Sequence, residues 1–142
     1  MASVARYLAD TSTVSRTDQP TIGAALVSLH DRGLLATCPV VDFEVLWSCR
    51  TPADFSRART ERRLGFEQLP VLPIDWDTAL DVQQQLWDSG LFRCVGMPDL
   101  LIAAVAARER VTVLHYDADF DRIAAVTGQP TEWVVPRGTA DD

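Results

Sequence analysis

Short apolar segments alternate with helix-like segments along the whole chain, and this alternation restricts the possible folds most. Five apolar runs have the length and composition of strands: "VARYLA" (4–9), "LLAT" (34–37), "VLPI" (71–74), "VTVLHY" (111–116) and "EWVV" (132–135). Strands that alternate with helices form a parallel sheet covered on both faces. We therefore expect an α/β fold, in which active sites gather at the carboxyl ends of the strands.

Capping residues and breakers set the expected helix boundaries. The predicted helices are 21–33, ending at Gly33; 39–50, opened by Pro39; 51 to about 69; a helix capped by Asp75 or Asp77 that runs to about Asp88; and 98–110, opened by Pro98. Residues 117–128 are expected to form a loop and a short helix. No repeat, low-complexity tract or linker indicates a second domain.

Composition excludes several classes of function. The net charge of −7 makes general electrostatic adhesion to nucleic acid or to an acidic membrane unfavourable, so any contact with nucleic acid must be local. The chain has no lysine, which excludes Schiff-base chemistry and a P-loop. Its three cysteines lack a C-x-x-C spacing, so we expect neither a disulfide scaffold nor a zinc site. We therefore expect the protein to reside in a reducing cytoplasm. The residues before Asp10 are too few for a signal peptide and no apolar run has the length of a membrane span, so we expect a soluble protein.

Several acids lie in apolar surroundings or directly after predicted strands. Asp10 and Asp117 each follow a strand, and Asp99 is the one charged residue between Gly96 and Arg108. Glu44 shares an apolar helical stripe, although Asp42, two residues away, is an alternative inward-facing acid. Taken singly, each acid also has an ordinary structural explanation, such as a helix cap or a first-turn carboxylate.

Taken together, these acids predict a site for a divalent metal. Ionised carboxylates collected at one sheet edge repel one another and are costly to bury without cations, and few arginines lie near them in sequence. A bound divalent cation with oxygen ligands removes that repulsion. Asp10 would then be a metal ligand at the end of a strand, oriented by Ser12 or Thr11. Asp119 could instead cap the following helix.

One dense basic cluster stands out in the acidic chain. The segment "RARTERR" contains Arg57, Arg59, Arg62 and Arg63. It is either a solvated helix face paired with nearby glutamates or a local phosphate track that guides RNA. The candidate RNA contacts are Arg59, Arg62 and Arg63.

Four motifs in order carry a resemblance to a known family. With "LADTS" (8–12), "FEVLWS" (43–48), "PDLLIAAVA" (98–106) and "VLHYDADFDRIA" (113–124), the chain resembles PIN-domain ribonucleases, in particular the VapC toxins of type II toxin–antitoxin pairs. The resemblance implies a three-layer α/β/α sandwich with a central parallel sheet. On this basis we expect a PIN domain over residues 1–136 and a polar tail of low order over 137–142.

The resemblance also implies the roles of the acids. Asp10, Glu44, Asp99 and Asp117 match the family's acidic quartet, Asp119 matches a further acid, and Ser12 matches the hydroxyl that supports the first acid. Many relatives have Thr or Ser where this chain has His115. We expect His115 to be a buried, neutral side chain.

The implied activity is Mg²⁺- or Mn²⁺-dependent endonucleolytic hydrolysis of RNA. The implied partners are a second copy of the chain and a VapB-type antitoxin, in a hetero-oligomer that binds promoter DNA through the antitoxin. The alternative is a catalytically quiet module whose main role is to pair with the antitoxin. A phosphatase of the haloacid dehalogenase type is disfavoured, because that family needs an acid at the position of Ser12 and a lysine.

Overall fold

The structure is a computed structural model that describes residues 4–140. Its strands are β1 (Tyr7–Ala9), β2 (Leu35–Thr37), β3 (Glu67–Gln68), β4 (Thr112–His115) and β5 (Thr131–Trp133). Its helices are α1 (Thr11–Val14), α2 (Pro20–Asp31), α3 (Pro39–Trp47), α4 (Pro52–Gly65), α5 (Pro73–Asp88), α6 (Met97–Glu109) and α7 (Asp119–Thr127). The alternation of strands and helices predicted from the sequence is confirmed.

The five strands form one parallel sheet in the order β3-β2-β1-β4-β5. The chain builds outward from β1 through β2 to β3, and then returns to place β4 on the other side of β1. The strand order therefore reverses between β1 and β4. In open α/β sheets, ligands bind outside the carboxyl ends of the strands at such a reversal.

Successive strand residues feed two separate cores, one on each face of the sheet. Leu8 and Val113, which are register partners, pack with apolar residues of α3, α5, α6 and α7. Ala9 and Leu114, the next pair, pack with Ile22 and other apolar residues of α2. Because side chains alternate across a strand, both faces of β1 and β4 are buried. The predicted three-layer α/β/α sandwich is confirmed.

The third strand is not where the sequence predicted it. The segment 71–74 is not a strand, since α5 begins at Pro73, and β3 lies at Glu67–Gln68, where α4 was expected to continue. Helix α4 ends at Gly65, and Phe66 adopts an extended conformation that leads into β3. This strand is a polar, two-residue edge strand, and it gives no hydrophobic period that could be read from the sequence.

The start of α5 also differs from the prediction. Neither Asp75 nor Asp77 is the N-cap, because the cap position is Leu72. Asp75 lies in the first turn, where its Oδ2 accepts a hydrogen bond from the Leu72 backbone N–H at 2.7 Å. Its Oδ1 accepts from Arg108 Nε of α6 at 2.9 Å, so this buried acid joins α5 to α6.

The tail is closer to the fold than its composition suggested. Gly138 and Ala140 donate backbone N–H groups to Tyr116 Oη, at 2.9 and 3.0 Å, and the Ala140 side chain is buried. Residues 138–140 therefore pack against the end of β4, and residues 141–142 of the predicted tail lie outside the described residues. Within residues 4–140, no helix has the length and apolar character needed to cross a bilayer.

Candidate metal centre

The reversal point of the sheet is flanked by two acids. Asp10 directly follows β1 and Asp117 lies just after β4, and β1 and β4 are neighbours. The connection between these ends is direct, since Tyr116 donates its backbone N–H to Ser12 Oγ at 2.8 Å. The fold therefore brings together acids that are more than a hundred residues apart in sequence.

Helices α6 and α7 add two acids to the same edge. Asp99 lies in the first turn of α6, and Asp119 is the first residue of α7. Carboxylate oxygens of Asp99, Asp117 and Asp119 all lie within 4.8 Å of one another. Asp117 is oriented by the backbone N–H of Asp119, which donates to its Oδ1 at 2.9 Å.

The electrostatics of Asp99 reveal how closely the acids are grouped. Burial and the negative charges of Asp10, Asp117, Asp119 and Glu44 together raise the pKa of Asp99 to about 8. Burial and then the charge of Asp117 raise the pKa of Asp119. All five acids proposed from the sequence therefore influence one position.

Asp10 has a buried oxygen that no group in the described part of the chain satisfies. Its Oδ2 accepts from the backbone N–H of Ser12 at 3.0 Å, whereas its Oδ1 is buried without a hydrogen-bond partner. Burial is the main cause that raises the pKa of Asp10. An unsatisfied buried carboxylate oxygen beside other carboxylates fits a hard divalent cation, which prefers oxygen ligands. The residues present therefore suit Mg²⁺ or Mn²⁺.

Glu44 rather than Asp42 is directed toward these acids. Glu44 Oε1 accepts a hydrogen bond from Thr11 Oγ1 at 2.8 Å. Asp42 instead accepts from Arg62 Nε at 2.6 Å and from Thr37 Oγ1 at 2.9 Å. Of the two hydroxyls expected to orient Asp10, that of Ser12 is hydrogen-bonded to it, while the hydroxyl of Thr11 positions Glu44.

His115 is buried at the end of β4, as expected from the sequence. Its ring packs against Phe120 and Trp133, with ring centroids 5.1 and 5.0 Å away. The backbone N–H of Asp117 donates to its Nδ1 at 3.2 Å. Burial lowers the pKa of His115, which favours the neutral ring, so His115 supports the position of Asp117 through the backbone.

The basic cluster on α4 divides into buried and exposed members. The Arg62 side chain is buried, ion-paired with Asp42, hydrogen-bonded to Thr37 and stacked on Phe66. Its proposed contact with RNA was therefore wrong, because the guanidinium is already engaged inside the fold. Arg59 and Arg63 line an exposed groove between α3 and α4.

Sequence reasoning missed three arginines near the acids. Arg122 donates to Asp119 Oδ1 at 2.6 Å, a contact that the i, i+3 spacing on a helix could have indicated. Arg16 and Arg137 line a polar cleft beside Asp117. No local sequence pattern links these two residues, which the fold brings together from opposite ends of the chain.

Comparisons with known proteins agree with this fold. The family model of the PIN domain matches residues 7–126. The chain belongs to the PIN-domain family.

Its relatives narrow the assignment within that family. Ribonuclease VapC21 of Mycobacterium tuberculosis is 44% identical over 135 residues, covering 95% of this chain and 98% of the relative. Among solved structures, VapBC-5 of Mycobacterium tuberculosis, a member of the VapBC family of toxin–antitoxin systems, is 27% identical with a TM-score of 0.57, covering 90% and 96% of the two chains. DNA-bound VapBC of Salmonella typhimurium has a TM-score of 0.75 at 16% identity, covering 93% and 100%, which supports the fold. The resemblance to VapC-type PIN domains is confirmed.

Proposed function

We propose that this chain is the toxin of a type II toxin–antitoxin pair and cleaves RNA endonucleolytically by hydrolysis, with Mg²⁺ or Mn²⁺ at the acidic cluster. The observation that carries the proposal is the grouping of five acids around Asp99 at the reversal point of the sheet. The 44% identity to a protein named ribonuclease VapC21 supports the same activity. The complete set of acids disfavours the alternative of a catalytically quiet module.

Each acid has a distinct position in the proposed site. Asp10, Asp99 and Asp117 would hold the cation most directly, because one oxygen of Asp10 lacks a partner and Asp99 and Asp117 lie together, whereas Asp119 beside them is ion-paired with Arg122. Glu44 and Asp119 would complete the ligand set. When bound, a divalent cation lowers the pKa of water and stabilises negative charge on phosphodiester oxygens.

The surrounding residues hold these acids in place. Ser12 joins the loop after β1 to the end of β4, so that Asp10 and Asp117 keep a fixed separation. Thr11 holds Glu44 on the other side. Arg122 holds Asp119 and offsets part of the charge when the cation is absent. Such preorganised ligands reduce the reorganisation needed when substrate binds.

A cleavage assay tests this function. The purified chain, incubated with total RNA and Mg²⁺ or Mn²⁺, should generate discrete products, and a chelator should abolish them. Asp99→Asn should lower the rate at least tenfold with an unchanged circular dichroism spectrum, because the amide is nearly isosteric but supplies no negative charge. Metal-independent cleavage, or an Asp99→Asn variant with more than a tenth of the wild-type rate, would contradict the proposal.

An antitoxin of the VapB type is the proposed partner. The groove between α3 and α4 has a volume of about 600 Å³ and exposes Phe43 and Trp47, the latter 91% accessible. Exposed aromatic side chains of this size mark interaction surfaces. Arg59 and Arg63 at the groove would complement acidic side chains of the partner. Promoter DNA would be contacted through the antitoxin, because the toxin itself is acidic.

A second copy of the chain is the other proposed partner. Trp76, Leu80 and Trp87 lie on one stripe of α5 and are exposed, so this stripe offers a contact surface. Phe92 extends the stripe, with its ring centroid 4.9 Å from that of Trp87. We assign this stripe to a homodimer interface.

A further inference from the structure

The polar cleft lined by Arg16 and Arg137 adjoins the acidic cluster on the side of β5. Its volume is about 360 Å³, and its lining includes Ser12, Arg16, Tyr116, Asp117, Trp133 and Arg137. Ser12 and Asp117 belong to the site already described, so the cleft shares a wall with it. Neither of its two arginines was among the candidate residues selected from the sequence.

The topology explains why the cleft opens beside the acids, at the carboxyl ends of the strands. Arg16 follows β1 and α1, Asp117 follows β4, and Trp133 is the last residue of β5. Strands β1, β4 and β5 are consecutive in the parallel sheet, so their carboxyl ends lie side by side. An RNA strand whose scissile phosphate lies at the acids would therefore pass beside this cleft.

The two arginines have no carboxylate partner in the described part of the chain. Arg57, Arg62, Arg108 and Arg122 all form ion pairs, whereas Arg16 and Arg137 form none there. They are held by aromatic rings instead, with Arg16 Cζ 5.0 Å from the centroid of Tyr116 and Arg137 Cζ 5.5 Å from that of Trp133. Stacking fixes a guanidinium but leaves its charge available to an anion.

Arg16 is oriented as well as charged. Its Nη1 donates to the backbone oxygen of Ser12 at 2.8 Å, and its Nε is buried without an acceptor among residues 4–140. A buried N–H donor that lacks an acceptor is costly, and charge-assisted hydrogen bonds from the other N–H groups of this guanidinium to an anion in the cleft would offset that cost.

Arg137 is held in place by the residues that follow it and by β5. Tyr116 Oη accepts hydrogen bonds from Gly138 and Ala140, the residues that follow Arg137 closely. Trp133 donates its Nε1 to Asp121 at 3.1 Å, which fixes the ring under Arg137. The cleft is therefore a built feature of the fold and not a chance arrangement of surface side chains.

We infer that Arg16 and Arg137 form a phosphate-binding subsite for the RNA nucleotide next to the scissile bond. This inference rests on the proposed function. In a chain of net charge −7 whose catalytic edge carries five acids, a polyanion needs local cations beside the acids to bind there. The subsite positions substrate and takes no part in metal binding.

The test compares salt dependence of binding between matched variants. A short fluorescein-labelled single-stranded RNA of random sequence is titrated with chelator-treated protein at several salt concentrations, and binding is followed by anisotropy. Arg16→Gln and Arg137→Gln should each lower the slope of log K against log salt by about 0.7, and the double variant by about 1.4. Arg137→Lys keeps the charge and should restore the slope. Arg32→Gln, an exposed arginine between α2 and β2 at the opposite sheet edge, should leave it unchanged.

Two further measurements separate the possible failures. Mn²⁺ affinity, measured by calorimetry, should be the same in the wild type and the double glutamine variant, since neither arginine is an expected ligand. A wild-type slope in the double variant would overturn the subsite while leaving the nuclease intact. If instead the wild type neither binds nor cleaves RNA, the proposed function itself fails. Reduced binding of an antitoxin with an unchanged RNA slope would also overturn the subsite, because it would assign the arginines to a protein partner.

Discussion

Asp99 is the residue in which the proposed chemistry and the stability of the protein are most closely coupled. Its pKa is raised from about 4 to about 8 by burial and by four neighbouring acids. The folded, metal-free protein therefore retains a proton that the unfolded chain loses near pH 4. Stability rises with pH only where the unfolded state binds more protons, so here it falls as pH rises toward 8.

The first prediction follows from that sign. The melting temperature of chelator-treated protein should decrease between pH 5 and 8 more steeply in the wild type than in Asp99→Asn, because the amide has no proton to lose. Differential scanning calorimetry at several pH values measures this. Parallel pH profiles for the two proteins would show that Asp99 is not held protonated by its neighbours.

Arg62 supplies the second prediction at the scale of one residue. Arg62→Gln leaves Asp42 without its 2.6 Å ion pair in a mostly buried position, and it also removes a donor to Thr37. The variant should lose about 2–3 kcal/mol of unfolding free energy in urea denaturation. Arg63→Gln on the same helix is the matched control and should change stability by less than about 0.5 kcal/mol, as exposed substitutions do. Equal effects would contradict the buried role of Arg62.

At the scale of elements, the sequence predicted the helices better than the strands. Prolines near the first helical positions of α3, α4 and α6 fix where these helices begin, and such signals are local. Strand β3 gave no such signal, because its two polar residues are defined only by pairing with β2. The four-residue helix α1 was likewise missed, since Asp10, Thr11 and Ser12 read equally as a turn.

The groove between α3 and α4 carries the third prediction. The double variant Arg59→Gln with Arg63→Gln should lower the salt slope of RNA binding by about 1.4 if both side chains contact phosphate, with Mn²⁺ affinity unchanged. The single variant Arg57→Gln is the control, because the Arg57 side chain of the wild type forms an ion pair with Asp54. An unchanged slope would assign the groove to a protein partner alone.

The exposed stripe of α5 carries the fourth prediction. Leu80→Asp should raise the dissociation constant of the homodimer at least tenfold, because burying a leucine contributes about 1.5–3 kcal/mol and a buried unpaired charge adds a cost. Sedimentation velocity over a concentration series measures the change. Gln85→Asp, on the other side of α5, should have no effect. A dimer that withstands Leu80→Asp would place the interface elsewhere.

At the scale of the whole molecule, the site is a product of topology. The acidic residues could be selected from the sequence because each follows a strand or lies in an apolar stretch, and their order carried the family resemblance. The sequence could not predict the distances between these acids, the hydrogen bond of Thr11 to Glu44 or the burial of Arg62. They depend on which strand ends become neighbours and on how α3 and α4 pack, and those are long-range contacts.

The whole fold also determines where charge is available. The protein has a net charge of −7, yet arginines without an ion pair in the described part of the chain lie beside the clustered acids. This distribution allows local attraction of a polyanion without general adhesion to nucleic acid. Under the proposed function, an antitoxin bound in the groove between α3 and α4 would lie on the helix that carries Glu44 and would limit access to the acids.

Calorimetric titration of Mn²⁺ into chelator-treated protein at pH 7 tests the central claim, that the clustered acids form a divalent metal site. The wild type should bind saturably and release about one proton, measured in buffers of different ionisation enthalpy, because Asp99, with a pKa of about 8, must ionise to become a ligand. Asp99→Asn should bind at least tenfold more weakly and release no proton. Absence of saturable binding by the wild type at millimolar Mn²⁺, or wild-type affinity in Asp99→Asn, would contradict the account.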